Sequence, residues 1–178
     1  DKVKVDSGDI VIDIGANIGE YSVAISDYAS LVLAIDPDPN IQTALKANLK
    51  HLSNAKLFEV ALSDSENEAE FFLSTKDADS SLVRPDEFSR TVIVKTKTLD
   101  QIVREQELEI VNFLKLEAEG WEPEILAGAT KTLQIVKKIA VDAGPERLGE
   151  TTIDAVCELL GKAGFKTTVR DDVVFGRR

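Results

Sequence analysis

The sequence predicts an α/β fold: a doubly wound, mostly parallel sheet with helices on both faces. Two observations carry this expectation. Short β-branched and apolar runs alternate with segments of helical periodicity along nearly the whole chain, an order that builds parallel sheets joined by right-handed crossovers. The first such run, Ile10–Ile14, leads through the glycine-spaced loop Gly15-Ala16-Asn17-Ile18-Gly19 into a helical pattern. Ligands of sheets built this way bind at the carboxyl ends of the strands, where the strand order reverses.

The elements read in order. Ile10–Ile14 (IVIDI) and Leu31–Ile35 (LVLAI) are continuous apolar runs, as expected of strands buried on both faces. A helix over 19–28 opens after a glycine, and one over 39–52 carries Ile41, Ala44, Leu45, Asn48, Leu49 and Leu52 at helical spacing. Residues 56–62 read as a third strand. Runs 69–73 and 91–96 read as two strands flanking 74–90, the most polar stretch, which reads as a loop or insertion rather than a domain boundary. Runs 110–116 and 138–142 are further core strands, with a helix over 123–135 between them. A helix over 151–163 begins at a threonine cap and keeps Ile153, Val156, Cys157 and Leu160 on one face. Runs 165–170 and 173–176 close as a hairpin around Asp171-Asp172.

Composition narrows the class. The 178 residues, 43% hydrophobic and 30% charged, describe an ordinary globular chain. No repeat or Pro/Gly/Ser linker divides it, so residues 1–178 read as a single domain. With 21 basic against 32 acidic residues the net charge is −11, which disfavours nucleic acid and anionic membrane surfaces as partners. Cys157 is the only cysteine, excluding an internal disulfide framework and a multi-cysteine metal site. No apolar run approaches the roughly 20 residues of a membrane helix, and the N-terminus lacks a signal-peptide layout, so the expected location is cytoplasmic. A chain that begins at Asp1 and contains no methionine reads as part of a longer protein.

The loop after the first strand carries the strongest signal. Its glycines permit a tight turn and close approach of backbone to a ligand, and the following helix start offers free N–H groups. Asp36 ends the second strand 21 positions after Gly15, where a carboxylate can accept from both hydroxyls of a ribose. Together these point to a nucleoside-bearing cofactor. The spacing is G-x-x-x-G rather than the dinucleotide G-x-G-x-x-G, with Asn17 at the middle glycine. Asp13, two residues before the loop, repels phosphate but tolerates an amino or sulfonium group. Both points favour S-adenosyl-L-methionine over NAD, and no G-x-x-x-x-G-K-[ST] is present.

The run VIDIGANIGEYSVAIS, followed in order by AIDPDP, ALSD, TLDQI and LKLEAEGWEPEILAGA, resembles the FkbM family of S-adenosylmethionine-dependent methyltransferases from about Gly8 to about Gly164. The glycine loop alone would indicate only the wider methyltransferase class. The E-G-x-E core at Glu119 to Glu122 and the L-x-G-A at Leu126 to Ala129 narrow the resemblance. It implies a Rossmann-like seven-stranded sheet, mostly parallel, with the last strand antiparallel. It also implies methyl transfer to a hydroxyl of a sugar, polyketide or related small molecule. Two positions depart from relatives. Asp36 stands where many have Glu, and Leu114-Lys115-Leu116-Glu117 stands for L-K-I-D. Each keeps its charge and changes reach by one methylene.

In that frame Asp13, Gly15, Asn17 and Gly19 are assigned to the cofactor's amino-acid portion and Asp36 to its ribose. Asp64 either accepts from the adenine amino group or serves its own turn. Glu117 and Glu119 follow the strand over 110–116, where the methyl group is expected. As paired carboxylates they supply a base, or hold the cofactor's ammonium group or a substrate hydroxyl. Asp142, at the end of the strand over 138–142, is a substrate contact or base, or a turn residue before Gly144-Pro145. Trp121 either walls the acceptor pocket or packs against a helix, and Glu122 starts the next helix before Pro123. Arg84 and Arg90 in the polar loop are placed to meet an acidic acceptor group. His51 and Cys157 have no expected catalytic role, and no residue spacing requires a metal. The motif that presents a flipped base in nucleic-acid methyltransferases, N-P-P-Y or D-P-P-Y, is replaced by Leu116-Glu117-Ala118-Glu119. The second reading is a non-catalytic cofactor-binding or interaction domain of the same fold.

Overall fold

The computed structural model describes residues 3–74, 79–147 and 149–178. Its centre is β1 (Ile10–Ile14), whose last four residues are buried. β1 pairs in parallel with β2 (Leu31–Ile35) on one side and β7 (Val111–Leu116) on the other. β3 (Ala55–Phe58) extends the sheet beyond β2, and β8 (Val136–Asp142) extends it beyond β7. β9 (Lys166–Arg170) and β10 (Val173–Arg177) form the expected hairpin, with Asp171 and Asp172 both at positive φ in its turn. The seven strands run β3-β2-β1-β7-β8-β10-β9. The last strand, β10, is antiparallel to both neighbours.

Strand alternation sends side chains to two apolar layers. Ile12, Ile14, Leu33, Ile35, Leu114 and Leu116 face α3 (Leu99–Glu105), α4 (Glu122–Ala127) and α6 (Ile153–Lys162), packing with Ile102, Leu126, Val156 and Leu160. Val11, Val32 and Phe113 face the other way, against Ile25 of α1 (Glu20–Ser26) and Ala29. Ala34 lies on that side too, under Leu45 and Leu49 of α2 (Gln42–Leu49). Both faces are therefore covered, as the apolar runs require.

Three departures from the expected elements have physical reasons. The run 56–62 is two strands: β3 ends at Phe58, and β4 (Ala61–Leu62) joins a second sheet of order β4-β6-β5 with β5 (Glu68–Leu73) and β6 (Arg90–Lys97). Helix α3 was not expected, yet Thr98 and Gln101 form a capping box at its start, a pattern present in the sequence as T-x-x-Q. The run 123–135 breaks into α4 and α5 (Thr132–Ile135), with Gly128 as the C-cap of α4. A Cβ on Gly128 would lie 2.2 Å from the Ser63 carbonyl oxygen. Among the described residues no helix is long and apolar enough to cross a membrane.

Candidate active site

The strand order reverses between β1 and β7, so the loops that leave these two strands lie side by side. Their contact is close: a Cβ on Gly15 would stand 1.9 Å from the Glu117 carbonyl oxygen. Gly15 (φ 68), Asn17 (φ 49) and Gly19 (φ 88) all have positive φ, which tightens the turn into α1. The N–H groups of Gly15 and Ala16 donate to the Ile35 carbonyl at 3.0 and 3.2 Å, tying the loop to β2.

At the end of β2, Asp36 is buried and accepts two backbone bonds. Asn17 N donates to Oδ2 and Asp38 N to Oδ1, each at 2.9 Å. Each carboxylate oxygen keeps a further lone pair. Burial nevertheless pushes the Asp36 carboxyl up to about 6, with the two N–H groups pulling the other way. Gln42 Nε2 donates to the Asp36 carbonyl at 2.8 Å and holds this corner to α2.

Beneath the loop lies a network that the sequence reading did not foresee. Asp13 and Lys115 are register partners on β1 and β7. The fully buried Asp13 accepts from Ser22 Oγ at 2.6 Å and faces Lys115 Nζ at 3.5 Å. Its Oδ1 accepts no hydrogen bond, and burial raises its pKa. Lys115 Nζ also donates to the Gly15 carbonyl at 2.7 Å and pairs with Glu117 at 2.8 Å. A lone lysine inside the apolar run VNFLKL is the signal that could have marked this counter-charge.

After β7 the chain turns through Glu119 (φ 50) and Gly120 (φ 90). Glu122, 1% exposed, closes this turn: its Oε1 accepts from Ala118 N and Gly120 N at 3.0 Å, and its Oε2 from Thr152 Oγ1 at 2.9 Å. The expected helix start is thus also a clamp. The Glu119 carboxyl makes no hydrogen bond or ion pair among the described residues. Burial, reinforced by Glu146 and then Asp79, pushes it up to about 8. Trp121 Nε1 donates to Ser63 Oγ at 3.3 Å while the Arg147 guanidinium lies 5.7 Å from its ring centre. Trp121 both walls the cleft and packs against the core.

These groups border a cleft of about 760 Å³, its open mouth included. Gly15, Asn17, Asp36, Glu117, Glu119 and Trp121 line it together, and Ile35, Ile41, Val60, Leu62 and Phe71 give it an apolar wall. Other expected site residues lie outside that lining. Asp13 acts beneath the loop. Gly19 lets α1 approach α2, since a Cβ there would stand 2.9 Å from Leu45 Cδ1. Asp64 is exposed and accepts from Ser65 Oγ at 2.8 Å within its turn. Asp142 is the last residue of β8, its carboxyl raised by burial and then by Glu117. Arg84 stacks on Phe88 at 5.7 Å, and Arg90 Nη2 donates to Asn40 Oδ1 at 3.3 Å. Of the polar loop 74–90, residues 75–78 lie outside the described residues, whereas Ser80 and Leu82 line the cleft.

Comparison with known proteins fits this geometry. The family described as methyltransferase FkbM domain matches residues 13–167. The 2-O-methyltransferase NoeI of Sinorhizobium fredii is 26% identical over 190 residues, covering 93% of this chain and 78% of that protein. The hexuronic acid methyltransferase AglP of Haloferax volcanii is 29% identical over 181 residues, covering 98% of this chain and 73% of that protein. The crystal structure of methyltransferase FkbM from Methylobacillus flagellatus shares the fold, with a TM-score of 0.70 at 16% identity. That match covers 97% of this chain and 44% of the other, so this chain spans less than half that protein's length.

Proposed function

The chain belongs to the FkbM methyltransferase family, and we propose that it transfers the methyl group of S-adenosyl-L-methionine to a hydroxyl of a small molecule such as a sugar. One observation carries the reading. A single cleft joins the tight glycine loop, a ribose-ready carboxylate at Asp36 and a carboxyl at Glu119 that is unpartnered among the described residues. The donor set fits the cofactor. Asp36 keeps free lone pairs on both oxygens for vicinal hydroxyls, and Glu117 offers a carboxylate to an ammonium group. The apolar wall from Ile35 to Phe71 suits a nucleobase. No phosphate-binding arrangement is needed, in keeping with Asp13 beneath the loop.

Bound, the cofactor supplies a methyl group on a sulfonium, open to in-line displacement. The chain's part is alignment and proton handling. The Gly15 loop, Asn17 and Asp36 would orient the cofactor, and Lys115 lies between Asp13 at 3.5 Å and Glu117 at 2.8 Å, offsetting the charge of both. The Glu119 carboxylate would take the hydroxyl proton of the acceptor while the bound cofactor would supply the methyl group to its oxygen. A group titrating near about 8 is a better base than an ordinary carboxylate and is partly ionised at neutral pH. Transfer to oxygen draws support from the names of NoeI and AglP, a 2-O-methyltransferase and a hexuronic acid methyltransferase.

The test is methyl-labelled S-adenosyl-L-methionine incubated with the protein and a panel of glycosides, polyols and amines, read by mass spectrometry. Label on a hydroxyl, lost in Glu119→Gln, is the expected result. Label on nitrogen overturns the hydroxyl assignment. Tight cofactor binding with no transfer to any member favours the non-catalytic reading.

A further inference from the structure

The turn Ala118-Glu119-Gly120 is held by side chains from three separate parts of the chain. Glu122 of α4 accepts both N–H groups, from Ala118 and Gly120, at 3.0 Å. Ser81, from the segment after β5, donates its hydroxyl to the Glu119 carbonyl at 2.8 Å. Arg147, from the segment after β8, donates Nε to the Gly120 carbonyl at 2.8 Å and Nη2 to Glu124 at 2.6 Å. Each clamp is anchored in turn. Thr152 holds the second oxygen of Glu122 at 2.9 Å. The Ser81 backbone bridges Phe72 through bonds of 2.8 and 3.1 Å, and Ser81 Oγ accepts from Val83 N at 2.9 Å. The single hydroxyl proton of Ser81 goes to the Glu119 carbonyl at 2.8 Å rather than to the Ala118 carbonyl at 3.4 Å.

This bracing holds an unusual backbone. Glu119 sits at φ 50, a conformation that side-chain-bearing residues other than Asn and Asp seldom adopt. Such residues persist where the surroundings over-determine them, and they cluster at functional sites. A glycine would take that φ freely, yet a glutamate stands there. Its carboxyl has no partner among the described residues, and Glu119 lines the cleft. Ser81 is itself buried, between Ser80 and Leu82, which line the same cleft.

We propose that Ser81 and Arg147 are positioning residues: their hydroxyl and guanidinium hold the Glu119 turn in its left-handed form, so that the carboxyl stands in the cleft away from bulk water. The inference rests on the reading of Glu119 as proton acceptor. It adds that the segment after β5 and the segment after β8 jointly set that residue's chemistry.

The test needs no acceptor substrate. The protein is labelled with carboxyl-carbon-13 glutamate and titrated by NMR, with Glu119→Gln assigning the signal. In the unaltered protein Glu119 is expected to titrate near about 8. In Ser81→Ala, and separately in Arg147→Met, it falls by about one pH unit or more as the turn relaxes into water. Ser81→Thr, which keeps the hydroxyl, stays near the unaltered value. In Ser81→Ala the affinity for S-adenosylhomocysteine stays within about threefold, which separates a positioning effect from general unfolding. An unchanged Glu119 titration in both folded variants overturns the proposal and leaves the base reading standing. A Glu119 that titrates in the ordinary carboxylate range in the unaltered protein overturns both.

Discussion

Replacing Gly15 with alanine attacks the closest contact of the site. A Cβ there would lie 1.9 Å from the Glu117 carbonyl oxygen and 3.0 Å from its carbon, whereas ordinary contact begins near 3.4 Å. The obstacle is backbone. Glu117 N donates to the Ile14 carbonyl at 3.2 Å, so the two chains cannot part without opening the β1–β7 pairing. Relief therefore requires the glycine loop to move by more than an ångström, away from the Asp36 carboxylate that holds Asn17 N at 2.9 Å. In addition, alanine at φ 68 costs about 1–2 kcal/mol. A displacement of about 1 Å in a preorganised site costs on the order of a hundredfold. Calorimetric titration of folded Gly15→Ala with S-adenosylhomocysteine is expected to show affinity about 100-fold weaker, with the unfolding midpoint lowered by about 2–8 °C. Binding within about threefold of the unaltered protein would refute the claim that this contact shapes the cofactor site.

Further outcomes follow from other residues. Asp36→Ala removes a charged acceptor and should weaken S-adenosylhomocysteine binding by about 10–100-fold. With the Asp36 carboxyl near about 6, affinity should also fall as pH drops through that value; flat binding from pH 7 to 5 counts against the ribose role. The raised carboxyls of Asp36 and Glu119, near about 6 and about 8, favour the protonated form in the folded state. Their contribution to stability is thus complete below the ordinary carboxylate range and is lost as pH rises through those values. Thermal scans from pH 4 to 9 should show a decline that the double variant Asp36→Asn, Glu119→Gln flattens. Glu122→Ala strands the Ala118 and Gly120 N–H groups and the Thr152 hydroxyl, so denaturant unfolding should register a loss of about 3 kcal/mol or more. Asp64→Asn should leave S-adenosylhomocysteine affinity within about twofold, and a tenfold loss would return Asp64 to the site.

Much of the site was legible because its parts are local. The turn after β1 needs glycine at positive φ, and Asp36 follows a strand whose apolar run is unmistakable. The carboxylates after β7 lie in one short motif, and two of them, Glu117 and Glu119, reach the cleft. What escaped depends on contacts distant in sequence. Lys115 meets Asp13 only because β1 and β7 pair in one register, and Ser81 meets Glu119 across 38 positions. The run 56–62 reads in the sequence as one strand leading to Asp64, which either accepts from an adenine amino group or serves its own turn. The chain instead leaves the main sheet after Phe58, and Leu62, not Asp64, faces the cleft. Period-two patterning records that a run is extended but not which sheet it joins. The missed helix α3 is different in kind: its capping box stands in the sequence at Thr98 and Gln101.

The claim that this cleft holds S-adenosyl-L-methionine is tested most directly by calorimetric titration of the protein with S-adenosylhomocysteine and, separately, with NADH. Saturable S-adenosylhomocysteine binding that Asp36→Ala weakens, with no heat from NADH, is the expected result. NADH binding at the same site, or no response to S-adenosylhomocysteine, would contradict it.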